Sequence, residues 1–420
     1  MKSLRKPTKT IFLFAVLLWI VHALFLDVAW GGDMFIYRDL DTGILSHADN
    51  FVTSRNMRHV WVTSDNILAT IVQKAGHEGL GLTLYSSTNG GKNWAPGMEI
   101  SDDFRLISDG IIDADNHLLV VYSSFLDGEE NRAEVWFCRL AYDAVLKTWS
   151  LDHASNVFIS PDVSYGSRAT IAMDQNGVLW CAFRVEAMVS QVWYIKVYYS
   201  TDDGYSWHDC GEEFGTRNSS SQKTPKVIAF DSKIGLVYHD VEINGPEELR
   251  SKNWAYRDDS QTVDSPWHRQ RIAHMESSVD IFGTHWSVAP DSLGNVHLAY
   301  QDAGINYVKY FAGPEQWGRP FKALNQGTYV NLSVSSTNNV YLFQDVSTPL
   351  GARLIGRKYT ASTNSWSGWK LISLRFYAGN LRMCSPEAFD RYLPLLHQAD
   401  VDLFDQEPFE LVYHLIFSDN

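Results

Sequence analysis

The sequence predicts an all-β fold, a β-propeller of four-stranded blades. Three observations carry that expectation. A tryptophan recurs at Trp94, Trp149, Trp207, Trp267, Trp317 and Trp369, roughly 50–60 residues apart, a period that suits propeller blades. Strand pairs around short polar turns recur in step with it, and no long helical periodicity competes. Aromatic residues make up 13% of the chain and charged residues only 20%, a balance that favours packed sheets over coiled or disordered chain.

Each tryptophan follows a strand-like run that carries a tyrosine: Tyr85, Tyr142, Tyr199, Tyr256, Tyr310 and Tyr359. Ahead of each such pair lies another, in which a strand ends in a turn and a new strand begins. The instances are 60–65 with 67–72, 111–115 with 118–122, 170–174 with 178–183, 227–231 with 235–238, 287–291 with 296–300, and 331–335 with 340–343. Their turns are rich in Asp, Asn and Gly, which is good hairpin chemistry. Each unit thus holds four strands, and six units are plain. A seventh has three strands, at 383–389, 392–398 and 409–417. Residues 34–47 are placed to supply its fourth strand, closing the ring by pairing the two ends and leaving no bare edge. Seven blades are favoured, with six as the alternative.

The N-terminus has the pattern of an export signal. Lys2, Arg5, Lys6 and Lys9 precede an apolar run at 11–26, and Ala29 and Gly31 are small residues at the positions a signal peptidase reads. The expected division is a signal peptide at 1–31, or an uncleaved membrane anchor, and one propeller domain at 32–420. Localisation would then be periplasmic, extracellular or envelope-associated. A net charge of −14 argues against nucleic-acid partners and against docking on anionic lipid; membrane contact is expected only if the N-terminal segment stays uncleaved. The four cysteines, Cys138, Cys181, Cys210 and Cys384, have no metal-ligand spacing, and no metal or cofactor is expected. Cys181 and Cys210 are either a disulfide or buried free thiols.

One stretch organises the chain. Ser200-Thr201-Asp202-Asp203-Gly204-Tyr205-Ser206-Trp207 joins an aromatic strand to the next through a tight turn, and Ser87-Thr88-Asn89-Gly90-Gly91-Lys92-Asn93-Trp94 repeats it with Asn for Asp. The Asx side chain can bond turn amides, the glycine supplies a positive φ, and the serine bonds the loop backbone. The tryptophan then plugs the hairpin. These two copies resemble the Asp-box, or bacterial neuraminidase repeat, of sialidase-like β-propellers. The resemblance implies a structural role for Ser87, Asn89, Gly91, Trp94, Ser200, Asp202, Gly204 and Trp207.

In a blade, both hairpin turns lie at one end. The opposite, open end carries the start of the first strand and the end of the second, and in proteins resembling this one it is the ligand face. Candidate residues there are Arg58, Arg168, Glu186, Asp240, His285, Asp302, Asp345 and Arg382. Second strands end in an aromatic-x-acid pattern at Asp240, Asp302 and Asp345. Because this pattern recurs, bonding to backbone amides competes with a ligand role for these acids. The sialidase resemblance implies three arginines gripping a carboxylate, and Arg58, Arg168 and Arg382 are the candidates. It also implies a tyrosine nucleophile with a glutamate, for which Tyr165 and Glu186 are the candidates. Two departures stand out. Met57-Arg58-His59-Val60 lacks the aromatic, isoleucine and proline of the family's first arginine motif, and 73–84 contains no aspartate to serve as acid/base. The expected function is binding of an extracellular or envelope ligand, most readily a glycan. The alternatives are a glycosidase of sialidase type, a polysaccharide lyase using rim histidines (His239, His285, His297), and a protein-binding scaffold.

Overall fold

The structure, a computed structural model, describes residues 34–46, 56–74, 81–102, 105–125, 133–160, 163–244, 247–276, 283–349, 351–373, 375, 377–400 and 409–418. The expected export segment lies outside the described residues. Among those residues there is no helix, and the strands form seven sheets, the seven blades of a propeller.

From the innermost strand outward, blade 1 is Val60–Val62, Leu68–Lys74, Gly81–Ser87 and Ala95–Ser101. Blade 2 is Arg105–Ile112, Leu118–Phe125, Ala133–Asp143 and Thr148–Ser160. Blade 3 is Val163–Met173, Leu179–Ala187, Trp193–Ser200 and His208–Asn218. Blade 4 is Thr224–Phe230, Lys233–Asn244, Glu247–Asp258 and His268–Met275. Blade 5 is Trp286–Pro290, Val296–Gln301, Ile305–Phe311 and an outer strand broken into Gln316–Trp317 and Phe321–Leu324. Pro320, which has no N–H to give the ladder, lies in that break. Blade 6 is Val330–Ser335, Val340–Thr348, Gly351–Thr360 and the short pieces Ser365–Trp366 and Lys370–Leu371.

Blade 7 takes three strands from the end of the chain, Ala378–Cys384, Tyr392–Asp400 and Phe409–Ser418, and its fourth from the beginning, Met34–Ser46. The closing pair is antiparallel and runs from Met34 opposite Ser418 to Ser46 opposite Phe409. The ring is therefore shut by hydrogen bonds between the two ends of the propeller, as expected. A short piece, Ala388–Phe389, also pairs in parallel with the inner strand of blade 6, tying blades 6 and 7.

The core is distributed. Seven apolar clusters fill the spaces between adjacent blades, one for each interface. Such burial is the main favourable term for a fold whose sheets cannot stand alone. All four cysteines are free and buried. Cys181 packs between blades 2 and 3 and Cys210 between blades 3 and 4, on opposite sides of their sheet, so the disulfide option is closed.

The two turn motifs fold alike. Gly91 N donates to Ser87 Oγ at 2.9 Å and Asn93 N to Asn89 Oδ1 at 3.0 Å. In the second copy Gly204 N donates to Ser200 Oγ at 2.9 Å and Ser206 N to Asp202 Oδ1 at 2.9 Å. The glycines have φ of +80° and +89°, where an L side chain is strained. Each also lies against an aromatic ring of the preceding blade, so that a Cβ on Gly91 would overlap Tyr413 and one on Gly204 would overlap Phe137. The motif tryptophans meet the same rings, Trp94 with Tyr413 at 6.0 Å and Trp207 with Phe137 at 5.4 Å between centroids. The motif is thus a local turn and an inter-blade lock at once.

The tryptophan series needs one correction. Tyr142 pairs with Trp149, Tyr310 with Trp317, and Tyr359 with Trp366. Trp366, and not Trp369, holds the equivalent place in blade 6, at the same spacing from its tyrosine as Trp149 and Trp317.

Candidate functional site

The propeller axis is filled, not open. Arg58 is 3% exposed, and its guanidinium donates to three backbone carbonyls. These are Leu332 O in blade 6 at 2.9 Å, Ser385 O in blade 7 at 3.4 Å, and Val288 O in blade 5. Its backbone N donates to Asp109 Oδ1 in blade 2 at 2.7 Å. Asp109 Oδ2 accepts from Lys226 Nζ in blade 4 at 2.6 Å and from Ile171 N in blade 3 at 3.1 Å. Arg58 and Asp109 between them touch every blade. Burial pulls the Arg58 guanidinium below its ordinary range, opposed by the carboxylates of Glu387 and Asp109. Just ahead, Asn56 Nδ2 donates to Pro225 O in blade 4 at 2.9 Å, so the segment entering blade 1 crosses the axis. Arg58, expected on the rim, is thus placed inside the axis, with its fork spent on carbonyls.

The open ends of blades 3 to 6 carry a continuous band of buried polar side chains. In blade 3 the inner strand has a bulge between Ser167 and Thr170, and there Arg168 takes a φ of +57°. A left-handed arginine costs roughly 1–2 kcal/mol, and bulges of this kind re-aim a side chain. Arg168 points its guanidinium at blade 4, where it donates to Thr224 Oγ1 at 2.6 Å. Arg184, missed by sequence reasoning, donates to Ser167 Oγ at 2.8 Å and lies over the Trp193 ring.

In blade 4, Lys252 is fully buried beside His239, with Nζ 3.2 Å from His239 Nδ1 and 5.1 Å from the centre of the Trp286 ring. In blade 5, His285 Nδ1 lies 2.6 Å from Gln301 Oε1, and Gln301 Nε2 donates to Gly327 O at 3.3 Å. The second bond orients the amide, so Oε1 must accept from His285 Nδ1–H. The Tyr329 ring of blade 6 packs at 4.9 Å from His285. Among the described residues, the amide oxygens Asn56 Oδ1, Gln73 Oε1 and Gln344 Oε1 at the open ends are buried without a hydrogen-bond partner, an unusual condition for buried acceptors.

The three aromatic-x-acid carboxylates share one job. Asp240 accepts from Thr216 N at 2.8 Å, Asp302 from Glu276 N at 3.1 Å, and Asp345 from Thr328 N at 3.0 Å and Tyr329 N at 2.7 Å. Each caps backbone amides of the chain leading into or flanking its blade, the use that their recurrence suggested. Asp240 also holds Lys223, Nζ to Oδ1 at 2.9 Å; burial pulls that amine below its ordinary value against the pull of the carboxylate. Glu186 pairs directly with Tyr165 across the first two strands of blade 3; nothing about the Tyr165 side chain lies within the described residues. Arg382 sits in blade 7 opposite Gln398, across the ring from Arg168. His297 is fully buried near the hairpin end, 2.6 Å from Tyr307 OH and 3.1 Å from Asp291 Oδ2, a packed core position. The structure thus gathers Arg168, Asp240, His285 and Asp345 along one band and leaves Arg58 and Arg382 apart from it. Among the described residues no group of three or more His, Cys, Asp or Glu is placed to hold a metal ion.

No protein-family model and no curated protein matches the sequence. Solved structures do. An α-L-arabinofuranosidase from Fusarium graminearum, in complex with an iminosugar inhibitor, has a TM-score of 0.51 at 12% identity over 79% of this chain and 99% of that one. An α-L-arabinanase from Penicillium chrysogenum, complexed with arabinobiose, has a TM-score of 0.50 at 12% identity over 91% and 98%. A polysaccharide lyase has a TM-score of 0.52 at 10% identity over 92% and 99%. At these identities the likeness shows the shared fold, and activity has to be argued from the site.

Proposed function

We propose that this chain is an exported, sialidase-like propeller that binds an acidic glycan of the envelope or extracellular space across the open ends of blades 3 to 6. One observation carries the proposal: the band of buried Arg, Lys, His, Tyr and amide side chains there, with Arg168 held at a strained backbone angle. A guanidinium fork matches a sugar carboxylate bidentately. The amide oxygens of Asn56, which lies against blade 4, and Gln344 in blade 6, without partners among the described residues, suit donors such as sugar hydroxyls or bound water. The similar fold of an arabinanase complexed with arabinobiose and of a polysaccharide lyase supports a glycan as the ligand; its acidic character rests on Arg168.

The test is binding of the full chain to an array of neutral and acidic glycans, repeated with Arg168→Ala. The expected result is selective binding of carboxylated sugars that falls about tenfold or more in the variant, the scale of one lost charged hydrogen bond. Unchanged binding by Arg168→Ala would remove this band from consideration.

A second use of the same band, as a polysaccharide lyase, is favoured by the His285 Nδ1–Gln301 bond, which fixes how the imidazole is held. In this reading the His285 ring, in its neutral form, takes the C5 proton of a uronic acid unit. The C4–O4 bond then breaks, C4=C5 forms, and the leaving oxygen is protonated. Appearance of unsaturated ends from a uronic acid polymer, lost in His285→Ala, would establish it; no such product from any uronate polymer would limit the site to binding.

A further inference from the structure

The hairpin end, opposite the proposed glycan site, has a groove of its own. It lies between blades 7 and 1, has a volume of about 920 Å³, and is lined by the first turn of blade 1, the Thr88-Asn89-Gly90 turn and the 388–392 segment of blade 7. A second hollow of about 360 Å³ runs on toward blade 2 and shares Thr88, Asn89 and Lys147 with the first. Together they make an extended track, a shape suited to a linear oligomer more than to a compact small molecule.

The charge of this track runs against the chain as a whole. The protein carries −14, yet Lys92, Lys147 and Arg391 line the groove and are exposed. None of the three makes an ion pair within the described residues. Two carboxylates also line it, so three cations face two anions. Burial raises the Asp65 carboxyl's pKa, but hydrogen bonds from Thr63 Oγ1 at 2.5 Å and Tyr142 OH at 2.9 Å, with the charge of Lys147, hold it below the usual range. Asp390 accepts from Ser336 Oγ at 2.7 Å.

The two copies of the turn motif supply an internal comparison. Their backbone hydrogen bonds match, but the blade 3 copy carries Asp202 and Asp203 where blade 1 has Asn89 and Gly90, and Tyr205 where blade 1 has Lys92. The same turn is thus −2 in blade 3 and +1 in blade 1, and the fold does not require the difference. The floor adds an aromatic platform: Tyr392 is 39% exposed with the Arg391 guanidinium 5.2 Å from its ring centre. A pyranose stacks on such a ring, and an anionic substituent finds the adjacent cations.

We infer that this hairpin-end groove is a second binding site, for an acidic oligosaccharide chain, independent of the open-end site. The experiment uses the full chain and the triple variant Lys92→Gln/Lys147→Gln/Arg391→Gln, whose side chains are exposed, with an unchanged thermal midpoint as the folding control. Titrants are an oligogalacturonate, a neutral arabinan oligomer, a single-stranded oligonucleotide and vesicles containing phosphatidylserine. Expected is salt-sensitive binding of oligogalacturonate that falls about tenfold in the triple variant, from three exposed contacts, and that persists in part in Arg168→Ala. Equal binding by the triple variant and the native chain overturns the inference and leaves the open-end site untouched. Preference for the oligonucleotide or the vesicles over the sugar also overturns it. Loss confined to the triple variant, with no effect of Arg168→Ala, upholds the groove and refutes the open-end proposal.

Discussion

Asp109→Ala tests the axial knot that joins the blades. In the native chain this carboxylate, fully buried, accepts from Lys226 Nζ at 2.6 Å, Arg58 N at 2.7 Å and Ile171 N at 3.1 Å. Truncation leaves Lys226, 1% exposed, as an uncompensated charge. Breaking a buried pair from one side costs about 3–5 kcal/mol. Each amide left without an acceptor adds about 1–3 kcal/mol, reduced to the extent that Lys226 sheds its proton. With two such amides the terms sum to about 5–11 kcal/mol, the lower end applying if Lys226 goes neutral, a large part of the roughly 5–15 kcal/mol that holds a folded domain. Urea unfolding followed by tryptophan fluorescence reads it. The diagnostic arm is Asp109→Ala/Lys226→Met. Removing the stranded charge should recover about 1–3 kcal/mol relative to Asp109→Ala alone, since an apolar pair avoids the desolvation cost. A loss under about 1 kcal/mol for Asp109→Ala, or a double variant that is less stable than the single, would refute the knot.

Three further outcomes follow from the same geometry. Gly204→Ala should cost about 2–4 kcal/mol, because backbone strain at φ +89° adds to overlap with Phe137. Gly177→Ala, at φ +81° with nothing near its Cβ, should cost only about 1 kcal/mol; equal losses at both sites would show that the ring contact is irrelevant. Burial, with His414 Nε2 2.9 Å from its Nδ1, holds the His397 imidazole well below its usual pKa. The unfolded chain then takes up the proton first, so stability is complete above about pH 6.5 and falls as pH drops below it. His397→Gln should flatten that fall in pH-dependent melting curves, and an unaltered slope would locate its cause elsewhere. Asp345→Ala should destabilise by about 1–3 kcal/mol through the orphaned Thr328 and Tyr329 amides, whether or not ligand is bound; loss of ligand affinity at unchanged stability would give this acid a binding role instead.

Much of the ring was legible because its signals are local. The Ser, Asx, Gly and Trp of each turn motif lie within eight residues, and the Ser and Asx side chains bond amides of the same turn. The closing strand was legible by count, since three terminal strands left one edge to fill and 34–47 was the segment left to fill it. The capping role of Asp240, Asp302 and Asp345 was foreshadowed by recurrence. What stayed hidden depends on distance or register. Asp109 finds Lys226 across 117 residues, and nothing near either residue announces the other. Arg58 looked like a substrate arginine by position, yet its carbonyl partners come from three remote blades. The bulge that turns Arg168 follows Gly166-Ser167, whose glycine is a bulge signal that the strand assignment passed over. Lys252 was overlooked because it lies in a third strand; its one clue is a charged residue between Ser251 and Asn253, ahead of the apolar Trp254-Ala255. Trp369 was mistaken for Trp366 because blade 6 carries both tryptophans, and only the strand pairing shows which one faces Tyr359.

The most direct measurement is a crystal structure of the chain grown with a uronic acid oligosaccharide. The account predicts a sugar carboxylate within hydrogen-bonding distance of the Arg168 guanidinium, its ring spanning the ends of blades 3 to 6 near His239, His285 and Tyr329. Saccharide bound at saturating concentration anywhere else, with that band free of it, would contradict the proposed site.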